Sequence, residues 1–123
     1  MDLQLINREF SICKIEKMDT DLLEKEFVFI GKSDHELSII CETKLIPENI
    51  VQVEHGWSCF RIAEDAAFEK YGMIAFLSKI IAGEKTGILV VATYDTDYIF
   101  VKENKLSDVK RALELNGCKF IGQ

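Results

Sequence analysis

The stretch that most constrains the fold of this chain is residues 87–101, GILVVATYDTDYIFV. Two segments rich in β-branched and aromatic residues flank the polar centre Asp95-Thr96-Asp97, which is the pattern of a β-hairpin. Both faces of the first arm are apolar, so the pattern predicts a strand inside a sheet that is covered on both sides. The two acidic residues at the tight end are either ordinary turn formers or part of a ligand site.

Length and composition indicate a globular protein. The chain has 123 residues, 48% of them hydrophobic, which suits one compact domain or two very small ones that share a core. No apolar run approaches the roughly 20 residues that span a bilayer. The first residues, MDLQ, lack the basic and apolar regions of a signal peptide. We therefore expect a cytoplasmic protein without a membrane partner.

Charge and cysteine usage exclude several classes of partner. The formal charge is -6 and the basic residues are scattered among acidic ones, which disfavours nucleic acid. Neither histidine has a Cys or His neighbour at metal-ligand spacing, so we expect no metal and no other cofactor. The cysteines form no Cys-x-x-Cys pair, which predicts buried, reduced thiols. They are Cys13, Cys41, Cys59 and Cys118.

The second half of the chain predicts a complete α+β unit. Apolar residues recur at i, i+3, i+4 and i+7 over a helix that ends at Gly83: Met73, Ile74, Leu77, Ile80 and Ile81. A second helix is predicted from an Asn104 cap to Gly117. With strands at 57–62, in the hairpin and at 118–121, the order is strand, helix, strand, strand, helix, strand. This is the ferredoxin-like arrangement, an antiparallel sheet with both helices on one face.

The first half predicts a shortened copy of the same unit. Strands are expected at 10–15, 27–30, 37–41 and 50–53, with single helical turns near 20–23 and 42–47. A shift of 61 positions places ETKL at 42–45 on ENKL at 103–106, Asp34 on Asp95 and Glu36 on Asp97. We expect two ferredoxin-like units in tandem, the first degenerate, over residues 1–55 and 56–123.

One candidate binding site lies at the start of the first predicted helix. No Ser, Thr, Asp or Asn stands directly before Gly72, so the carboxylate of a free amino acid could take the place of the missing cap. Asp97 stands at a strand start, where Asp is depleted, and could accept the ammonium group. The alternatives are that water caps the helix, that Asp95 only forms the turn, and that Thr93 and Tyr94 only pack as strand residues.

These residues resemble a known family. TYDTDYIFV at 93–101, HGW at 55–57 and the glycine before the helix are similar to the ACT domain, a small amino-acid-sensing regulatory module. The whole chain resembles short bacterial proteins built from two ACT-like units, an arrangement similar to the ACT pair of the cytosolic arginine sensors of animal cells. The resemblance implies an ACT domain over 56–123 and a degenerate unit before it. It also implies these ligand-binding residues: Thr93, Tyr94, Asp97, Tyr71, Gly72 and Met73.

The resemblance and the composition together predict function. In the loop before Gly72, a site for a basic amino acid would be expected to carry an acidic residue, and this chain has Lys70 there. The resemblance therefore implies an amino acid as the ligand but does not specify arginine. No nucleophile elbow or phosphate loop is present, so we expect no enzyme. The main hypothesis is a regulatory protein that binds an amino acid and forms a possible homodimer. The alternative is a ligand-free interaction or dimerisation module of the same fold. An RNA-recognition domain is disfavoured because the basic RNP1 pattern is absent.

Overall fold

The computed structural model describes residues 1–63 and 71–122. Seven strands and two α-helices occur in these residues: β1 (Asp2–Ile15), β2 (Phe29–Lys32), β3 (Leu37–Glu42), β4 (Ile50–Ile62), α1 (Met73–Gly83), β5 (Ile88–Ala92), β6 (Asp97–Lys102), α2 (Leu106–Leu115) and β7 (Lys119–Ile121). Three short 3-10 helices complete them: Thr20–Glu24, Thr43–Leu45 and Glu103–Lys105.

The chain forms two compact units. Met1–Asn7 and Ser58–Gln123 form the first, here called the helical unit, and Arg8–Trp57 form the second, here called the turn unit. β1 and β4 therefore each contribute one part to each unit. None of the described helices has the length and apolar composition needed to cross a membrane.

In the helical unit the strand order is β5-β6-β4-β1-β7. β5 and β6 pair antiparallel from Ile88↔Val101 to Ala92↔Asp97, and β7 runs parallel to the start of β1. Alternate strand residues and the apolar stripes of both helices meet on one face of the sheet, as amphipathic helices require. They form one buried core: Leu3, Phe60, Ile62, Leu77, Ile81, Ile99, Val101, Val109, Leu113 and Cys118.

In the turn unit the strand order is β2-β3-β1-β4, with β1–β3 and β2–β3 antiparallel. Its two helical elements are the 3-10 helices Thr20–Glu24 and Thr43–Leu45, far shorter than α1 and α2. The Asp19 side chain accepts a hydrogen bond of 3.0 Å from the Asp21 amide and caps the first of them. The core of this unit is correspondingly small: Cys13, Ile15, Leu22, Ile39 and Cys41.

The structure confirms the predicted α+β fold with an antiparallel sheet and two helices, apart from the parallel β1–β7 pair. Helix α1 occupies the predicted span, because its periodic residues face the core. The predicted division at residue 55 and the tandem arrangement stay predictions. The loop predicted before Gly72, with Lys70, falls largely outside the described residues.

Four sequence expectations were wrong. The first arm of the hairpin, β5, is the outer strand of the described order, and its Val90 is 41% exposed, because an edge strand carries the same β-branched pattern as a central one. β1 starts at Asp2 instead of residue 10. β4 is one strand, which continues through Gly56 at a φ of +83°. Asn104 lies inside a 3-10 helix and caps no α-helix.

Candidate functional site

The N-terminus of α1 starts at a left-handed glycine and has no side-chain cap among the described residues. Gly72 has a φ of +76°, a left-handed conformation that glycine adopts without strain, and among the described residues no side chain caps the helix. The first intrahelical bond runs from the Phe76 amide to the Gly72 carbonyl, at 2.9 Å. The amides of Met73 and Ile74 precede that bond, and the positive end of the helix dipole adds to their attraction for an anion.

The C-terminus of α2 is held by a glycine turn. The Cys118 amide donates to the Leu113 carbonyl at 3.0 Å and the Gly117 amide to the Glu114 carbonyl at 3.1 Å. Gly117 has a φ of +92°, so this is the Schellman arrangement that ends a helix at a left-handed glycine. Asn116 reinforces it, since its side-chain amide donates to the Ala112 carbonyl at 2.8 Å. The negative end of the α2 dipole lies at this turn.

Both helix ends line one cavity of about 300 Å³, here called the helix-end cavity. The positive end of α1 and the negative end of α2 thus border the same space, an electrostatic pattern that suits a ligand with one carboxylate and one ammonium group. Apolar and sulfur-containing side chains supply most of its lining, while Tyr71 is 92% exposed. The lining residues are Met1, Tyr71, Gly72, Met73, Phe76, Asn116, Gly117 and Cys118.

The hairpin residues predicted for the site lie at or beside the turn between β5 and β6. The Thr93 amide and hydroxyl both donate to the Thr96 carbonyl, at 2.9 and 2.8 Å, so the Thr93 side chain closes the turn. Tyr94 is 87% exposed. Asp97 is half-buried as the first residue of β6, opposite Ala92.

The structure brings half of the predicted site together. Tyr71, Gly72 and Met73 line the helix-end cavity, and the three hairpin residues do not. The hairpin turn is tied to the end of β4, because the Thr96 hydroxyl donates to the Ile62 carbonyl at 2.6 Å. The next residue, Ala63, donates from its amide to the Asp2 carbonyl at 2.9 Å, beside Met1 of the cavity. Hairpin turn and cavity therefore lie at the same end of the helical unit.

Sequence reasoning missed the far side of the cavity. Met1, Phe76, Asn116 and Cys118 carry no motif that marks them as lining residues. Gly117 was identified only as a helix stop. The signal that could have found this side is topological: in a strand-helix-strand-strand-helix-strand unit the start of the first helix and the end of the second lie at the same end of the sheet.

Three of the four cysteines are buried thiols whose pKa lies above the usual range. Among residues 1–63 and 71–122 no cluster of three His, Cys, Asp or Glu could hold a metal ion. Burial raises the pKa of the Cys41 thiol to about 12 and also raises the pKa of Cys13 and Cys59 above the usual range. Such thiols stay protonated at neutral pH and are therefore poor nucleophiles and poor ligands.

A second cavity lies in the turn unit. Its volume is about 650 Å³, and it is lined by strand residues of both charges, among them Lys14, Glu36 and Glu54. No helix end borders it, and none of the predicted site residues lines it. The electrostatic pattern of the helix-end cavity is not repeated there.

A family comparison identifies the fold and its usual role. The ACT domain model matches residues 52–114, just over half of the chain. This chain belongs to the ACT domain family. The predicted family is thereby confirmed. ACT domains are typically regulatory modules that bind amino acids. No curated protein sequence is significantly similar to the chain.

Solved structures share this ACT architecture. A protein from Agobacterium tumefaciens is 29% identical with a TM-score of 0.89, and the match covers 99% of this chain and 92% of that one. A Vibrio cholerae protein of unknown function, described as a possible transport protein, is 20% identical with a TM-score of 0.73 over 92% and 87% of the two chains. The ligand-free regulatory subunit of aspartate kinase from Thermus thermophilus is 12% identical with a TM-score of 0.63, over 92% and 95%. The last two show likeness of fold alone.

Proposed function

We propose that this ACT protein is a non-enzymatic regulator that binds a free amino acid in the helix-end cavity. The observation that carries the proposal is the meeting of opposite helix ends at one cavity of about 300 Å³. The amides at the start of α1 would bind the carboxylate, and the carbonyl end of α2 would face the ammonium. Binding a zwitterion in this way needs no charged side chain in the lining.

The cavity lining favours an apolar ligand side chain. Met1, Met73, Phe76 and Cys118 present thioether, aromatic and thiol groups, and no acidic side chain is among the described lining residues. A guanidinium group would lose its hydration there without gaining a carboxylate partner. The ligand class we infer is therefore a neutral amino acid, in contrast to the ligand of the arginine sensors.

The hairpin turn would complete the site from the same end of the unit. We infer that Asp97 supplies a negative charge that attracts the ammonium group, and that Thr93 holds the turn from which Tyr94 projects. The support is the tie between Thr96 and the end of β4, together with the half-buried position of Asp97. A half-buried carboxylate attracts a cation more strongly than a fully solvated one.

We also infer a tandem of two ACT-like units, the first degenerate, divided near residue 55. The turn unit, and the helical unit from Ser58 onward, each follow the order strand, helical element, strand, strand, helical element, strand. The helical unit also contains the β1 segment Met1–Asn7. Both place the second, third and first of these strands next to one another in that order. In the turn unit the 3-10 helices stand where α1 and α2 stand in the helical unit. This correspondence, with the sequence repeat at 61 positions, supports a two-unit ACT protein.

Thermal unfolding in the presence of each of the twenty amino acids tests the proposal. A ligand that binds only the folded state stabilises it, by about 2.7 kcal/mol at a ligand concentration of 100 times Kd. The midpoint temperature of unfolding rises as a result. We expect a shift with one or a few neutral amino acids. The absence of any shift at millimolar concentrations would overturn the proposal in favour of the ligand-free interaction module.

Matched variants then locate the site. Phe76→Glu adds a negative charge at the helix-end cavity and should remove the shift by repelling the carboxylate, whereas Ala82→Glu adds the same charge at the other end of α1 and should keep it. Asp97→Ala should weaken or remove the shift, and Glu36→Ala, the corresponding change in the turn unit, should not. A shift that survives both Phe76→Glu and Asp97→Ala would place the ligand elsewhere.

A further inference from the structure

The lining of the helix-end cavity is rich in sulfur. Three of its eight described lining residues are Met1, Met73 and Cys118. The whole chain has four cysteines and three methionines among 123 residues, so sulfur is concentrated at this cavity. The proposed amino-acid site uses these side chains only as apolar surface. Their sulfur atoms offer a second kind of chemistry, because sulfur is also a metal ligand.

The three sulfur-bearing side chains pack at one place in the helical unit. Cys118 belongs to the buried core of that unit and is 6% exposed. Met1 and Met73 are partly buried against the same core. One thiol and two thioethers therefore border a single space of about 300 Å³.

Backbone hydrogen bonds and helix geometry hold these three residues. The Cys118 amide donates to the Leu113 carbonyl at 3.0 Å. The Lys119 amide donates to the Met1 carbonyl at 2.9 Å, which places Met1 beside Cys118. Met73 is the first residue of α1. Groups that the fold already holds in place lose less entropy when they bind a ligand, so this donor set is partly organised in advance.

This set of donors selects a soft metal ion. Thiolate and thioether sulfur favour Cu(I), whereas Ca²⁺ and Mg²⁺ take oxygen ligands and Zn²⁺ sites are built from Cys, His and carboxylate groups. We propose that the helix-end cavity binds one Cu(I) ion through the sulfur atoms of Met1, Met73 and Cys118. The thioether of methionine is polarizable and flexible, which lets both methionines adjust to the ion.

The charges of this complex balance within the cavity. The Cys118 thiol releases its proton to solvent as the Cu–S bond forms, because the thiolate is the form that binds metal. One thiolate and one Cu(I) ion carry no net charge, and the thioethers add none. A neutral complex suits a lining whose described residues include no charged side chain, whereas a divalent ion would leave a positive charge there. The positive end of α1 borders the same space and favours the thiolate.

A pair of cysteines in the turn unit is the competing site. Cys41 pairs with Ser11 across β1 and β3, two residues before Cys13. Both thiols are buried in the small core of that unit, and burial raises the pKa of Cys41 to about 12. Two thiolates there would have to lose two protons inside an apolar core. We therefore place the ion at the helix-end cavity.

Competition with the coloured Cu(I) chelator bicinchoninate, in the absence of oxygen, measures the Cu(I) affinity of the full chain. We expect one Cu(I) per chain. Met73→Leu removes one donor and conserves the apolar volume, and it should raise the Kd for Cu(I) at least about tenfold, since loss of even an outer-shell partner costs about 10- to 100-fold in metal affinity. Met18→Leu is the matched control, because Met18 packs against the core of the turn unit, and it should leave the Kd unchanged.

Cysteine variants decide between the two sites. Cys118→Ala should abolish the competition with bicinchoninate, and Cys41→Ala should keep it. X-ray absorption at the copper edge of the loaded wild-type chain keeps the test decisive if a cysteine variant folds poorly, and it should show sulfur neighbours only. An equal concentration of Zn²⁺ should not displace the Cu(I), because thioethers favour the softer ion.

Each outcome decides the proposal, which does not depend on amino-acid binding because every measurement uses the chain without an amino acid. Failure of the wild-type chain to take Cu(I) from bicinchoninate would overturn it, as would binding that Cys41→Ala removes and Cys118→Ala keeps. Displacement by Zn²⁺, nitrogen or oxygen neighbours at the copper, or an unchanged Kd in Met73→Leu, would overturn the three-sulfur ligand set. One Cu(I) that requires Met73 and Cys118 but not Met18 would support it.

Discussion

Apart from the β1 segment Met1–Asn7 in the helical unit, the two units of this ACT protein have the same order of elements and differ in the kind of helix between their strands. The helical unit places α-helices of 11 and 10 residues between its strands, whereas the turn unit places 3-10 helices of five and three residues. Long helices supply both a larger core and strong dipole ends. The comparison shows that the order of elements persists when short 3-10 helices replace the α-helices, whereas the helix-end cavity requires the α-helices.

The largest expected effect tests the difference between the two cores. Leu77 on α1 is fully buried in the core of the helical unit, and Leu22 is the buried residue of the 3-10 helix Thr20–Glu24 in the turn unit. Leu77→Ala should lower the free energy of unfolding by about 3 to 4 kcal/mol, and Leu22→Ala by about 2 kcal/mol, because a short exposed turn collapses more easily onto a cavity. Urea denaturation measures both. Equal losses, or the reverse order, would contradict a weaker core in the turn unit.

The next effect tests whether both units keep a buried thiol protonated. Burial raises the pKa of Cys41 in the turn unit to about 12 and raises that of Cys59 in the helical unit. An unfolded cysteine titrates near a pKa of about 8.5, so the unfolded state loses protons first. Stability is therefore fully present below about pH 8.5 and falls as pH rises towards 12, by about 1.4 kcal/mol per pH unit for each such thiol.

Urea denaturation between pH 8 and 10.5 measures this slope. Cys41→Ala and Cys59→Ala should each reduce the fall of the unfolding free energy with pH by about 1.4 kcal/mol per pH unit, which is the contribution of one thiol. A variant whose slope equals that of the wild type would show that its cysteine ionises in the folded state, and thus that its unit is open to water at that residue.

A smaller effect tests the turn that ends α2. Gly117 has a φ of +92° and Gly31 in β2 does not have a positive φ, while an added Cβ would meet no atom within 4 Å at either position. Gly117→Ala should cost about 1 to 2 kcal/mol through backbone strain alone. Gly31→Ala should be neutral or slightly stabilising, since alanine loses less entropy on folding. Thermal unfolding compares the two, and equal effects would contradict the strain argument.

The sequence predicted the helical unit better than the turn unit for a physical reason. Five apolar residues at helical spacing define α1 within one residue of its observed end, because periodicity over three turns is a strong local signal. The first part of β1 was missed because polar residues such as Gln4 and Arg8 interrupt its alternation. The Gln4 side chain is used in the folded state, where it accepts hydrogen bonds from Arg61 at 2.9 and 3.0 Å.

The candidate site was predicted only where it is local. Gly72 and the missing cap are visible in a few consecutive residues. The end of α2 joins the cavity through tertiary structure, more than 40 positions away along the chain, and no local pattern encodes that contact. The exposed edge at β5 was missed for the same reason, since edge and central strands differ in their neighbours and not in their composition.

The central claim is that an amino acid binds between the two helix ends. Titration of ¹⁵N-labelled protein with the amino acid that gives the largest thermal shift tests it residue by residue. We expect saturable amide shifts at Met73 and Ile74 and at Gly117, with none in the 3-10 helix Thr20–Glu24 of the turn unit. Saturable shifts confined to the turn unit, or none at the start of α1, would contradict it.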